Sequence, residues 1–220
     1  MNISLTGKRY SARVLGRDVI LFNQHSSEWD FVYNHPVDPF DTLKTAGCGI
    51  FSICHAVEWM TGKIIDPIEL ARFSMLNGAR MYDGTNRPKL LMAMQRSGLA
   101  ERYGFSYRGT GPQNGEDELF GHISQGGAAL CNLRVGHIVA VVAARNMNSG
   151  RELLIIDSHP TTRSNAQYEA IKQAEGDAFI VYETINGSGA VTGVSAQASA
   201  FWVSASAPFN YDLMHPISAI

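Results

Sequence analysis

Four polar residues stand where the chain changes its local character, and their types suit chemistry at a thiol. Cys48 lies between Gly47 and Gly49 at the start of the apolar, helix-patterned run "AGCGIFSICHAVEWMTG". His137 opens the β-patterned run "HIVAVVAAR", Asp157 closes "ELLIID", and Gln24 ends the apolar stretch "VILFNQ". A cysteine needs a base or a cationic partner to become the nucleophilic thiolate. An imidazole in that role needs a third group to fix its tautomer, and the oxyanion formed on an attacked carbonyl needs neutral donors. A helix start helps: a free thiol with a pKa of about 8.5 is barely ionised at neutral pH, and converging N–H dipoles with an imidazolium lower that value, each unit being worth about 1.4 kcal/mol. Gly47 and Gly49 are expected to leave the sulfur and the adjacent N–H groups open to a carbonyl substrate. Taken singly, each residue also has a plain structural reading: Cys48 as core filler, His137 as a satisfied strand-edge group, Asp157 as a turn former. Their order and placement together set them apart.

The elements that must position these residues follow from periodicity and caps. "ARVLGRDVILFNQ" reads as a hairpin around "GRD", and the polar stretch from His25 to Thr45, with Pro36 and Pro39, reads as a loop. Ile50, Ile53, Cys54, Val57 and Met60 recur at helical steps, with Gly62 as a stop. "DPIELARFSMLNG" predicts a second helix capped by Asp66, begun by Pro67 and ended by Gly78. "NRPKLLMAMQRSG" repeats the design between Pro88 and Gly98, "GTGPQNG" reads as a loop, and a short helix is expected from Glu116 to Ser124. The period then changes. "GGAALCNLRVGHIVAVVAAR", "ELLIIDSHP", "DAFIVYETI" and "SAFWVSA" predict strands in a mostly antiparallel meander, while "RSNAQYEAIKQAEGD" fits either a short helix or a surface loop. Helices first and strands afterwards predict an α+β fold, an N-terminal helical part packed on an antiparallel sheet, as a single domain over residues 1–220.

Composition narrows the function. The chain has 220 residues, 45% of them hydrophobic and 17% charged, enough to bury a substantial core. A net charge of −2 with no run of like charge gives no basic footprint, which argues against nucleic acid as a partner. The longest apolar run, "IVAVVAA", falls far short of the roughly 18 residues that span a bilayer. Lys8, Arg9 and Arg13 interrupt any signal-peptide pattern at the start, so a cytoplasmic protein is expected, with leaderless export or delivery as an effector left open. Cys48, Cys54 and Cys131 are three, an odd number, and are expected to be free thiols, the latter two in the core. Their spacing suits no zinc site, even with His55 beside Cys54, and no metal or organic cofactor is called for. Trp29 and Trp59 are candidate cleft aromatics, with Trp59 expected in the core, and His25 and His35 are expected to face water.

"FNQHSSEW", "GCGIFSICHAVEWMTG", "GHIVAVVAA" and "LLIIDSHP", in that order, resemble papain-like cysteine peptidases of the bacteriocin-processing, double-glycine-leader type, specifically their stand-alone relatives. The resemblance covers roughly residues 20 to 160. It implies a papain-like fold and a peptide or protein substrate. Carried over by position, it implies that Cys48 is the nucleophile, His137 the general base and later acid, and Asp157 the orienter of the imidazole. Gln24 would donate its side-chain amide to the oxyanion together with the Cys48 N–H. Losing such a donor costs about a hundred- to a thousandfold in rate. The stretch between Cys48 and His137 is shorter than the roughly 130 residues of papain itself, which suits the compact bacterial branch. Where these peptidases often have Asp followed by Pro, this chain inserts Ser158 and His159, making His159 a rival imidazole expected at the surface. The same residues would also serve acyl transfer, transglutamination or isopeptide hydrolysis, and a binding or effector module could retain the fold without turnover.

Overall fold

The structure, a computed structural model, describes residues 9–24, 26–36, 40–111, 115–133, 137–148, 150–158, 183–184, 199–204 and 210–217. It opens with a hairpin of β1 (Arg9–Val14) and β2 (Arg17–Phe22). The two turn residues are Leu15 at φ 48 and Gly16 at φ 79, the pair of left-handed conformations that matches the twist of the strands. The turn therefore lies on Leu15–Gly16, and Arg17 and Asp18 already belong to β2. In this register the N–H groups of Ile20 and Phe22 point away from β1 and need acceptors elsewhere.

The segment read as one loop contains a 3₁₀ turn, Ser27–Trp29, and a single helical turn, α1 (Leu43–Ala46). The central helix α2 (Cys48–Thr61) follows at once, buried at every position through Glu58 and ended by Gly62, whose φ of 69 few other residues adopt cheaply. Its side chains supply the acceptors that β2 lacks. Glu58 Oε1 takes the N–H of Ile20 at 2.7 Å, and one turn earlier His55 Nε2 takes that of Phe22 at 2.9 Å. The hairpin is thereby fastened along the helix that begins with Cys48.

α3 (Pro67–Leu76) begins where Asp66 accepts the N–H groups of Ile68 and Glu69, and α4 (Arg87–Arg96) where Asn86 accepts that of Lys89. Between them lies a small hairpin, β3 (Arg80–Met81) and β4 (Gly84–Thr85), and α5 (Leu99–Tyr103) follows α4. The helix α6 spans Glu116–Ser124.

The main sheet comprises β5 (Phe105–Gly111), β6 (Ala128–Leu133), β7 (His137–Met147), β8 (Gly150–Asp157), β9 (Glu183–Thr184), β10 (Ser199–Ser204) and β11 (Asn210–Pro216). Its order is β5-β11-β6-β7-β8-β10-β9, and each neighbouring pair is antiparallel. Helices on an antiparallel sheet make the class α+β. β11 returns to lie between β5 and β6, and the first three residues of the stretch read as the loop "GTGPQNG" belong to β5. Gly111 is required there, because a Cβ would lie 1.8 Å from Cε2 of Tyr211 opposite. The segment "RSNAQYEAIKQAEGD" and most of "DAFIVYETI" lie outside the described residues.

Period-two alternation divides the sheet's side chains between two layers. Leu130, Ile138, Ala140, Leu154 and Ile156 join α2 and its neighbours in the larger core. Cys131, Val139, Val141, Leu153 and Ile155 pack with Leu119, Phe120 and Ile123 of α6 on the other side.

Candidate active site

Cys48 is the first residue of α2, and the chain turns sharply to place it there. Gly47 N–H closes α1 on Leu43 O at 3.0 Å, and its carbonyl accepts from Phe51 N–H at 3.0 Å in the first bond of α2. A Cβ on Gly47 would lie 2.3 Å from Leu43 O, and one on Gly49 would lie 2.9 Å from Thr85 Cβ and 3.1 Å from Ile138 Cδ1. Both glycines are demanded by close packing. Cys48 itself is 9% exposed.

His137 is the first residue of β7 and Asp157 the last of β8; the two strands are antiparallel neighbours, which brings these ends together. His137 Nε2 meets Asp157 Oδ1 at 2.7 Å, and Asp157 is 3% exposed. The side chains of His137 and Cys48 hydrogen-bond to each other, and since Nε2 faces the carboxylate, Nδ1 is left for the sulfur. The helix and strand starts are tied a second time by Ser52, whose hydroxyl donates to Ile138 O at 2.9 Å.

Electrostatics favours ionisation of both partners. Burial by itself raises the Cys48 thiol, but the hydrogen bond and charge of His137, with the N–H groups of Ile138 and Gly49, bring it below its ordinary 9.0. Burial likewise works against the imidazolium, and the charge and hydrogen bond of Asp157, aided by Cys48, push His137 up to about 10. The arrangement favours a thiolate beside an imidazolium, each charge stabilising the other. Such a pair can attack an electrophilic carbon and keep a proton ready for a leaving group.

Gln24, two residues beyond β2 and 3% exposed, bridges both sides of this site. Its backbone N–H donates to Ser158 O at 2.9 Å, and its Nε2 donates to Lys44 O at 3.0 Å, in the turn leading into Cys48. The Ser158 hydroxyl donates to its Oε1 at 3.0 Å.

The other thiols lie apart from this chemistry. Cys54 is fully buried and its thiol is raised well above 9.0, by burial first and then by Asp66 and Glu58. Cys131 is 1% exposed, and burial is the main cause that pushes its thiol up to about 12. Burial also holds His55 down to about 3, a neutral ring whose Nδ1 finds no hydrogen-bond partner among the described residues.

Of the two tryptophans, Trp59, expected in the core, is the less buried. Trp29 is the buried one, donating Nε1–H to Asn23 O at 2.7 Å, and Trp59 is half-buried under the Arg17 guanidinium. His35 is half-buried, with its ring edge-on to the exposed Tyr82. His25 and His159 lie outside the described residues. Among the described residues no group of three or more His, Cys, Asp or Glu side chains is placed to hold a metal ion.

Sequence reasoning missed Ser52, Ser158 and a buried hydroxyl chain in which Tyr33 OH meets Ser74 Oγ at 2.9 Å and Thr85 Oγ1 at 2.8 Å, Thr85 being the residue packed against Gly49. Ser52 carried a usable signal, a polar residue one turn after Cys48 among the apolar Ile50, Phe51 and Ile53. Ser158 and Tyr33 carried none, because their partners are distant in sequence.

Compared with family models, with curated proteins and with solved structures, the chain finds no match. Among the described residues no helix is long and apolar enough to cross a membrane.

Proposed function

We propose that the protein is a papain-like cysteine peptidase that hydrolyses an amide bond of a peptide or protein substrate through Cys48, His137, Asp157 and Gln24. The observation that carries this reading is the unbroken polar chain from Cys48 at the head of α2, through His137, to the 2.7 Å contact with Asp157. In the first step the Cys48 thiolate bonds to the substrate carbonyl carbon, and the carbonyl electron pair moves onto oxygen. The resulting oxyanion takes hydrogen bonds from the Cys48 N–H and from Gln24 Nε2. As the tetrahedral species collapses, the C–N bond breaks and the His137 imidazolium gives its Nδ1 proton to the departing amine. The neutral imidazole then takes a proton from water, whose oxygen attacks the thioester; the acid leaves and the thiolate and imidazolium are restored. Asp157 accepts from His137 Nε2 at 2.7 Å and fixes the ring so that Nδ1 is left for the sulfur.

The order Gln, Cys, His, Asp and the packing of the nucleophile helix on an antiparallel sheet support the papain-like assignment. The resemblance to leader peptidases supports a peptide or protein substrate. A peptide-library digestion followed by mass spectrometry tests this: the wild type is expected to release fragments and to carry a transient acyl adduct on Cys48, and Cys48→Ala to do neither. Cleavage that survives in Cys48→Ala would remove the assignment. Added hydroxylamine as a competing acceptor separates hydrolysis from acyl transfer by the ratio of acid to hydroxamate.

A further inference from the structure

We propose that Ser158 is the positioning residue of the oxyanion site, anchoring the Gln24 amide in the orientation set by Lys44 O so that it presents a donor to the substrate. This rests on the reading of Cys48 as nucleophile and Gln24 as oxyanion donor. Ser158 follows Asp157 at the end of β8, is fully buried, and grips Gln24 twice. Its carbonyl accepts the Gln24 backbone N–H at 2.9 Å, and its hydroxyl donates to Gln24 Oε1 at 3.0 Å.

The orientation of a glutamine amide is easily reversed, because turning it over exchanges donor for acceptor with little change of shape. Here the surroundings settle it. Lys44 O can only accept, so the amide atom 3.0 Å away must be Nε2; the reversed amide would set two lone-pair-bearing oxygens against each other. Oε1 then faces Ser158, whose hydroxyl supplies the proton that Oε1 needs in a buried place. Nε2 carries two hydrogens. Lys44 O takes one, which leaves the other for the oxyanion formed on the carbon bound to Cys48. The consecutive residues Asp157 and Ser158 thus serve both halves of the site, one orienting the base and the other the donor. A one-residue change at the end of β8 would disturb them separately.

The test compares two reactions of Cys48 that differ in whether an oxyanion forms. Acetylation by p-nitrophenyl acetate passes through a tetrahedral oxyanion, with p-nitrophenolate leaving as the acetyl thioester forms. Alkylation by iodoacetamide displaces iodide directly and forms none. Gln24→Ala is expected to slow acetylation about a hundredfold. Ser158→Ala is expected to slow it about tenfold, the worth of one orienting hydrogen bond. The double variant is expected to match Gln24→Ala alone, since Ser158 acts through Gln24. Alkylation rates serve as the reference and are expected to change little in all three.

Ser158→Ala acetylated at the wild-type rate, slowed equally in both reactions, or multiplying with Gln24→Ala would overturn the proposal. A wild-type protein that is alkylated at Cys48 but never acetylated there would instead overturn the underlying reading, whatever Ser158 does. Circular dichroism first establishes folding. Should Ser158→Ala not fold, Ser158→Cys, close in size and weak as a donor, takes its place with the same expected direction. If neither folds, Ser158 is a structural residue and the proposal fails.

Discussion

Iodoacetamide at pH 7 should modify Cys48 at least about fifty times faster than Cys131 in the folded protein, and the margin can be worked from the two environments. Burial, reinforced by Asp212 and opposed by Arg87, pushes the Cys131 thiol up to about 12. At pH 7 that leaves about one part in 10⁵ ionised. Cys48 is held below 9.0 by His137 and by two backbone N–H groups, so more than about one part in a hundred is thiolate. The ratio of reactive forms is therefore at least about a thousand. Against this, the more basic thiolate is intrinsically the better nucleophile: with a Brønsted slope of about 0.4–0.5, three pKa units return a factor of about twenty. About fiftyfold remains, and the 9% exposure of Cys48 against 1% for Cys131 widens it. Cys54, also raised well above 9.0, should behave as Cys131 does. Peptide mass spectrometry of a quenched time course reads all three rates in one experiment. Equal rates, or modification of Cys131 first, would refute the reasoning.

Three further outcomes follow from the fold. His55 is held neutral down to about 3 in the folded chain, whereas an unfolded histidine takes up its proton near 6.5; the stability this neutral ring supplies is complete above pH 6.5 and fades as pH falls toward 3. At pH 5 the loss is about 2 kcal/mol, and urea midpoints at pH 7 and 5 should show it in the wild type but far less in His55→Gln. Gly49→Ala should destabilise by about 1–3 kcal/mol, because its Cβ would press on Thr85 and Ile138, and should slow Cys48 alkylation by shifting the helix start; an unchanged midpoint and rate would contradict the packing role. Asp212→Ala strips the buried Arg87 of its 2.9 Å partner and the hydroxyls of Tyr107 and Thr110 of their acceptor, and a loss of about 3–5 kcal/mol in urea unfolding is expected.

Features written in local chemistry were legible before the structure. The Asp66 cap, Pro67 and Pro88 near two helix starts and the terminating Gly62 bound three helices because each signal acts within one turn of its own residue. The runs around His137 and Asp157 were legible as strands by their β-branched composition. What needed coordinates was whatever depends on a partner far along the chain. Nothing near residue 210 announces that β11 will enter between β5 and β6, and Gly111 makes sense only with the Tyr211 ring opposite. Trp29 and Trp59 look alike as letters, but Trp29 is sealed by Phe22 and Phe51 while Trp59 lies toward the exposed end of α2. The placement of Cys48, His137 and Asp157 at element boundaries was visible; the hydroxyls of Ser52 and Ser158 that fasten those boundaries together were not.

The most direct measurement is a nitrogen NMR titration of His137 in protein labelled with ¹⁵N-histidine. If the ring lies between a thiolate and the Asp157 carboxylate, both of its nitrogens should stay protonated through neutral pH and release a proton only near 10, and Cys48→Ala or Asp157→Asn should each lower that value. A ring that titrates near 6.5, or that is indifferent to the loss of Cys48, would contradict the thiolate–imidazolium pair and the catalytic role built on it.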